Sequence, residues 1–177
     1  RIKGDIDAAK AAGAEVIVAY YHWGEEYQNE PNKWQKELAQ RTADMGADVI
    51  FASHPHVPQT AEYVTVTDSE KKVPVFYSLG NFVSNQRAEY MNNRRTEEGI
   101  MGIVNITYKE EAGITGVTMD AVPLWVDRYS DGGKIIYTVI PLDENMENNE
   151  SLQASGHLSK AQQALEDING ILGSDTE

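Results

Sequence analysis

The residues best suited to chemistry lie at 49–59, VIFASHPHVPQ, where His54 and His56 flank Pro55. The chain has only four histidines, and two of them stand here, one residue apart. Neutral imidazole is the commonest protein metal ligand and the usual proton carrier near neutral pH. Two imidazoles at this spacing, in a loop leaving a strand, can converge on one metal or on two adjacent ones. Pro55 fixes its own φ and is expected to push His54 towards an extended conformation. Taken alone, an H-x-H pair is better explained by turn chemistry. His22, in His22-Trp23-Gly24, supplies the company that favours a site.

The elements that must position these rings follow from the apolar pattern. Residues 49–52 form a short apolar run bounded by turn residues, which predicts a buried strand ending at the histidine pair. Residues 15–21, EVIVAYY, predict a second buried strand ending at His22. Between them, Pro31 is expected to open a helix, with Trp34, Leu38, Thr42 and Met45 as its inward stripe and Gly46 as its stop. Strand, helix, strand at this spacing is a βαβ unit, whose strands run parallel. Parallel strands bring His22, His54 and His56 to one edge of the sheet. That carboxyl edge is where open α/β sheets bind ligands. Upstream, Ile2, Ile6 and Ala9 predict a short amphipathic helix stopped by Gly13.

Composition narrows the class. The chain has 177 residues, 41% of them hydrophobic, enough for one domain with a sizeable core. A net charge of −13 excludes a nucleic-acid binder, because neutralising phosphates needs a basic face. The same charge would repel a polyanion unless a metal or a local basic patch intervened. With no cysteine there is no disulfide framework and no thiolate metal site. The opening residues have no initiator Met and already look helical, so a piece of a longer protein is expected, with any leader or membrane anchor upstream.

Beyond Gln59 the pattern turns to hairpins. Residues 61–67 and 73–77 read as paired strands around a charged turn, ending in Ser78-Leu79-Gly80-Asn81-Phe82. Gly80 permits backbone that other residues resist, and the Gly80-Asn81 pair reads either as a tight turn whose amide faces the histidine edge or as a simple structural turn. Residues 84–98 read as an exposed polar loop whose Arg87, Arg94 and Arg95 either meet an anion or balance an acidic surface. Residues 99–108, 114–126 and 135–142 read as an antiparallel meander. Residues 143–150 read as an acidic linker, followed by a last helix over 159–172 capped by Ser159. No role is assigned to His157. The expected organisation is a domain over 1–142 and a linker with a terminal helix over 143–177.

Three motifs stand in order: His22-Trp23-Gly24, Ser53-His54-Pro55-His56 and Tyr77-Ser78-Leu79-Gly80-Asn81-Phe82. Together they resemble the CapA family of bacterial capsule (poly-γ-glutamate) synthesis proteins, whose domain is metallophosphatase-like. Glu25-Glu26-Tyr27, Gln35, Gly46-Ala47-Asp48 and Glu62 fit the same pattern, and the match is specific over about 14–86. The resemblance implies a four-layer α/β/β/α metallophosphoesterase-like sandwich, of which this chain would hold the C-terminal half plus a last helix. It implies one or two divalent metals (Mn, Fe or Zn), with His22 and His54 on one and His56 on the other. Glu62, Asn81 and Trp23 would then lie in a supporting or substrate-binding position. The acidic and Asn motifs of the phosphoesterase site have no counterpart here and are expected upstream of Arg1. Ala52-Ser53 also stand where the phosphoesterase pattern has Gly.

Two functions are compatible with this pattern. One is a metal-dependent hydrolase acting on a phosphoester or a peptide-like amide. The other is a non-catalytic polymer-binding or scaffold component of a capsule synthesis and export complex. The implied partners are an anionic polymer or capsule-synthesis membrane proteins, and the implied location is extracytoplasmic, at the surface of a bacterium or anchored to its membrane through the missing N-terminal part.

Overall fold

The structure is a computed structural model describing residues 1–173. It is a mixed α/β protein built on two sheets. The first has four strands: β1 (Val18–His22), β2 (Val49–Ser53), β3 (Ala61–Thr65) and β4 (Lys72–Phe76), in the order β1-β2-β4-β3. β1 and β2 are parallel, with Val18 opposite Val49 and His22 opposite Ser53. β2 and β4 are also parallel, and β3 returns antiparallel to β4 as the expected hairpin. The second sheet is the expected meander of β5 (Glu98–Lys109), β6 (Gly113–Asp131) and β7 (Lys134–Pro141).

Helices α1 (Ile2–Ala11) and α2 (Lys33–Asp44) cover one face of the first sheet. Ile6, Ala39 and Ala43 pack there on Ile50, Ala52, Val64, Val73, Val75 and Tyr77. The other face meets the meander. Phe51 and Phe76 stack at 5.1 Å between ring centroids, and a Cβ on Gly102 would lie 2.9 Å from Phe51 and 3.1 Å from Phe76. A glycine is required there because the aromatic pair occupies the space a side chain would need.

Several expectations are corrected. The strand at 15–21 begins only at Val18 and is not buried: Val18 and Tyr20 are 56% and 63% exposed. β1 is an edge strand with one neighbour, so its apolar run has only one covered face. The inward stripe of α2 is rotated from the one expected. Trp34 is 56% exposed, and the buried residues are Gln35, Ala39, Thr42 and Ala43. The cause is a capping box, in which Asn32 Oδ1 accepts from Gln35 N–H and Gln35 Oε1 accepts from Asn32 N–H. It draws Gln35 inward, where its amide donates to Gln59 Oε1 at 3.0 Å.

The segment 84–98 is not an exposed loop. It forms α3 (Ala88–Met91) and a 3-10 turn over Arg94–Glu97, and Arg87, Thr96, Glu97 and Glu98 are buried. Residues 143–157 are likewise ordered, with a short helix α4 (Glu150–Ser155) before α5 (Leu158–Leu172). Leu142, Leu152, Ala161, Ala164 and Ile168 share one core with Trp125 and Ile140 of the meander. Ser159 does not cap α5, since His157 holds the N-cap position without a side-chain cap bond.

Candidate metal and substrate edge

The parallel pairing of β1 and β2 does what the sequence requires of it. His22 is the last residue of β1, and His54 follows the last residue of β2. Their ring centroids are 4.5 Å apart, and His54 and His56 are 6.2 Å apart. His22 is exposed, and His54 and His56 are half-buried, so all three rings can be reached from solvent.

Backbone strain is concentrated here. Among the described residues, non-glycine positive φ occurs at Tyr27 (63°), His54 (113°), His56 (60°), Asp68 and Asn92. Three of these five line the imidazole edge. The extended conformation expected for His54 is therefore wrong: Pro55 permits, and the surrounding bonds enforce, a φ that L-residues avoid. Those bonds run from Trp23 N–H to Ser53 O (3.0 Å), from Tyr27 N–H to Pro55 O (2.8 Å) and from Leu79 N–H to Ala52 O (2.9 Å). They tie the loops after β1, β2 and β4 into one rim.

Asn81 fixes the state of His56. Its Nδ2 lies 2.9 Å from Thr96 O and 3.2 Å from both His56 O and Gln86 Oε1. Carbonyl oxygens only accept, so the amide nitrogen must face them, and Oδ1 faces His56 Nδ1 at 3.0 Å. In the neutral ring the proton therefore sits on Nδ1 and the lone pair on Nε2. That Nε2 lies 4.0 Å from Glu26 Oε1, and the Tyr27 ring stacks on the imidazole at 6.0 Å. A ring nitrogen presented by a hydrogen bond on the opposite nitrogen is the arrangement that orients metal-binding and base-forming histidines.

The placement of Asn81 depends on Gly80, whose φ is +67°. A Cβ there would lie 2.7 Å from Glu98 O. Asn81 N–H donates to the same carbonyl at 3.1 Å, which pins the turn to the start of β5.

Trp23 and Glu62 are not brought to the imidazoles. Trp23 is 3% exposed, and its Nε1–H donates to Tyr77 O at 2.9 Å. Glu62 accepts from the Tyr77 hydroxyl at 2.8 Å, on the face that packs α2. Burial, and then this carboxylate, push the Tyr77 phenol well above its ordinary range, so it remains a donor.

The arginines of 84–98 do not form a free basic patch. Arg87 is buried, with Nη2 3.0 Å from Glu97 Oε2. Arg94 makes a two-pronged bond to Asp167, at 2.6 and 2.8 Å. Sequence reasoning missed these pairs, and it missed His157, whose Nδ1 lies 2.7 Å from the buried Asp127.

Three imidazoles with one lone pair turned outward suit a divalent cation, but they form an incomplete set. Among the described residues, no three His, Asp or Glu side chains close around one point. Also among the described residues, no helix is long and apolar enough to cross a membrane.

The fold and this edge define an α/β protein with a histidine rim at the carboxyl ends of parallel strands. Residues 1–86 match the family described as "Bacterial capsule synthesis protein PGA_cap". The chain is 45% identical over 73 residues to the PGA biosynthesis protein CapA of Bacillus subtilis (strain 168), covering 41% of this chain and 18% of that protein. It is 46% identical over 77 residues to the capsule biosynthesis protein CapA of Bacillus anthracis, covering 44% of this chain and 17% of that protein. Over this stretch the chain is similar to the CapA proteins of capsule biosynthesis. The matched stretch is less than a fifth of the length of either relative.

Proposed function

We propose that the histidine rim is part of a divalent-metal site in a CapA-type protein of poly-γ-glutamate capsule biosynthesis, acting outside the cytoplasm. The observation that carries this reading is the convergence of His22, His54 and His56 on one sheet edge, with His56 Nε2 left free by the bond to Asn81. His22 and His54 would hold one ion and His56 a second, within a four-layer metallophosphoesterase-like sandwich. Bound there, Mn, Fe or Zn would supply Lewis acidity and a bound water of lowered pKa for hydrolase-like chemistry. The chain's own contribution is to orient. Asn81 sets the His56 tautomer, and Glu26 stands by to accept a proton or steady the ring. The rim borders a cleft of about 300 Å³ lined by Tyr20, Ser53, Phe82 and Met101, which offers a stacking surface beside the reacting position. A scaffold that grips an anionic polymer through Arg87, Arg94 and Arg95 is disfavoured, because Arg87 and Arg94 are held in internal ion pairs.

The test is imidazole NMR during Zn titration. The ring signals of His22, His54 and His56 should shift together, and His56 should start as the Nδ1–H tautomer. His157, bonded to Asp127, serves as the internal control. Uniform shifts in all four rings, or none in the rim, would remove the metal reading.

A further inference from the structure

A second cavity, of about 310 Å³, lies under α5, between its first two turns and the start of β5. Glu97 and Glu98 form one wall, and Trp125 and Ala164 are among its apolar lining. Ser159, Lys160 and Gln163 line the α5 side, and Glu89 and Arg94 complete the lining. Glu98 is 1% exposed, and its Oε2 is buried without a hydrogen-bond partner. Buried polar atoms are normally satisfied, so an unpartnered carboxyl oxygen on the residue that walls this cavity marks a place where a ligand completes the bonding.

We propose that this cavity binds one zwitterionic amino-acid residue of glutamate size. Its ammonium sits against Glu98 and Glu97, and its carboxylate sits against Lys160 and the first turn of α5. The two ends of the cavity differ in chemistry as such a ligand requires. The strand side offers carboxyl oxygens, one of them unpartnered. The helix side offers an ammonium, a hydroxyl, and the N–H groups that any helix leaves free in its first turn. Size sets the limit, because about 310 Å³ lies at the small end of ligand sites and holds one residue rather than a polymer. The ligand is thus a free amino acid or the amino-terminal residue of a glutamyl chain. The glutamyl choice rests on the capsule reading; the zwitterion rests on the cavity alone.

The cavity also backs onto the histidine rim. Thr96 O and Glu98 O both accept from Asn81, the residue that holds His56. A ligand ordering this segment would be felt at the rim.

The test is calorimetric titration of the chain, in EDTA so that no metal contributes, with glutamate, a γ-glutamyl dipeptide, glutarate and an uncharged amide as probes. Saturable binding of glutamate or the dipeptide, with glutarate at least about tenfold weaker for want of an ammonium, is the expected result. Preference for the dipeptide identifies a chain end, and preference for glutamate identifies the free amino acid. Glu98→Leu, which removes the acceptor oxygen, and Lys160→Ala should each weaken binding about tenfold while their melting transitions stay cooperative. Absence of saturable binding, equal binding of glutarate, or unchanged affinity in both folded variants would overturn the proposal. None of these outcomes depends on whether the rim holds metal.

Discussion

Replacing Glu98 by Gln should make the protein more stable, by an amount that depends on pH. Glu98 is buried at the start of β5 and faces Asp167 of α5, with Arg94 and Arg95 alongside. Burial first, and then the Asp167 carboxylate, push its carboxyl from 4.5 up to about 8, against the pull of the two arginines. The raised value means that the folded chain holds a proton the unfolded chain has released. Stability therefore falls as pH rises between about 4.5 and about 8, at about 1.4 kcal/mol per unit. By pH 7 the loss is about 3 kcal/mol, and it levels off above the folded value. Gln keeps the shape, can still donate to Asp167, and cannot ionise. Urea unfolding should thus give nearly equal stabilities for the two proteins at pH 5, and a variant about 3 kcal/mol more stable at pH 7. Asp44 and Asp167 have lowered values, Asp44 chiefly from the Thr67 N–H bond and Asp167 chiefly from Arg94. Their stabilisation is lost only as pH falls through the acid range, below this window. Parallel stability curves from pH 5 to 8, or a variant that is weaker at pH 8, would refute the reasoning.

Two further perturbations follow from the packing. Gly80→Ala places a Cβ 2.7 Å from Glu98 O at a φ of +67°, whereas Gly113→Ala meets a similar φ in open space. The second should cost about 1 kcal/mol from backbone strain alone, and the first clearly more in thermal unfolding, with His56 signals altered only in the first. Arg87→Met strands the buried Glu97 carboxylate and should cost about 3–5 kcal/mol; adding Glu97→Gln should restore most of it, a coupling measurable as a double-mutant cycle.

The parts of the fold set by local pattern were legible in the sequence. Apolar runs around a helical stretch made the β1–α2–β2 unit, and its parallel sense placed His22 beside His54. The turn residues of the hairpin and the meander were equally plain. What could not be read depends on neighbours distant in sequence. Whether residues 15–21 are buried is decided by sheet order, which leaves β1 at an edge. Arg94 finds Asp167 73 residues away, and Arg87 bonds Val126 O 39 residues away, so a segment rich in charge and Asn looked like solvent-facing loop. Gln35 turned inward because a cap and a buried amide overrode its polarity. The supporting role of Asn81 could be anticipated from its position after Gly80. The diversion of Trp23 and Glu62 to Tyr77 could not, because it depends on which face of the sheet each residue occupies.

The central claim, that the histidine rim holds divalent metal, is tested most directly by elemental analysis of the chain after equilibration with Mn, Fe or Zn. His22→Ala and His56→Ala should be analysed beside it, with folding checked by circular dichroism. The account predicts about one equivalent or more of bound metal in the parent chain and loss in both folded variants. A well-folded chain that takes up no metal, or variants that retain it in full, would contradict the account.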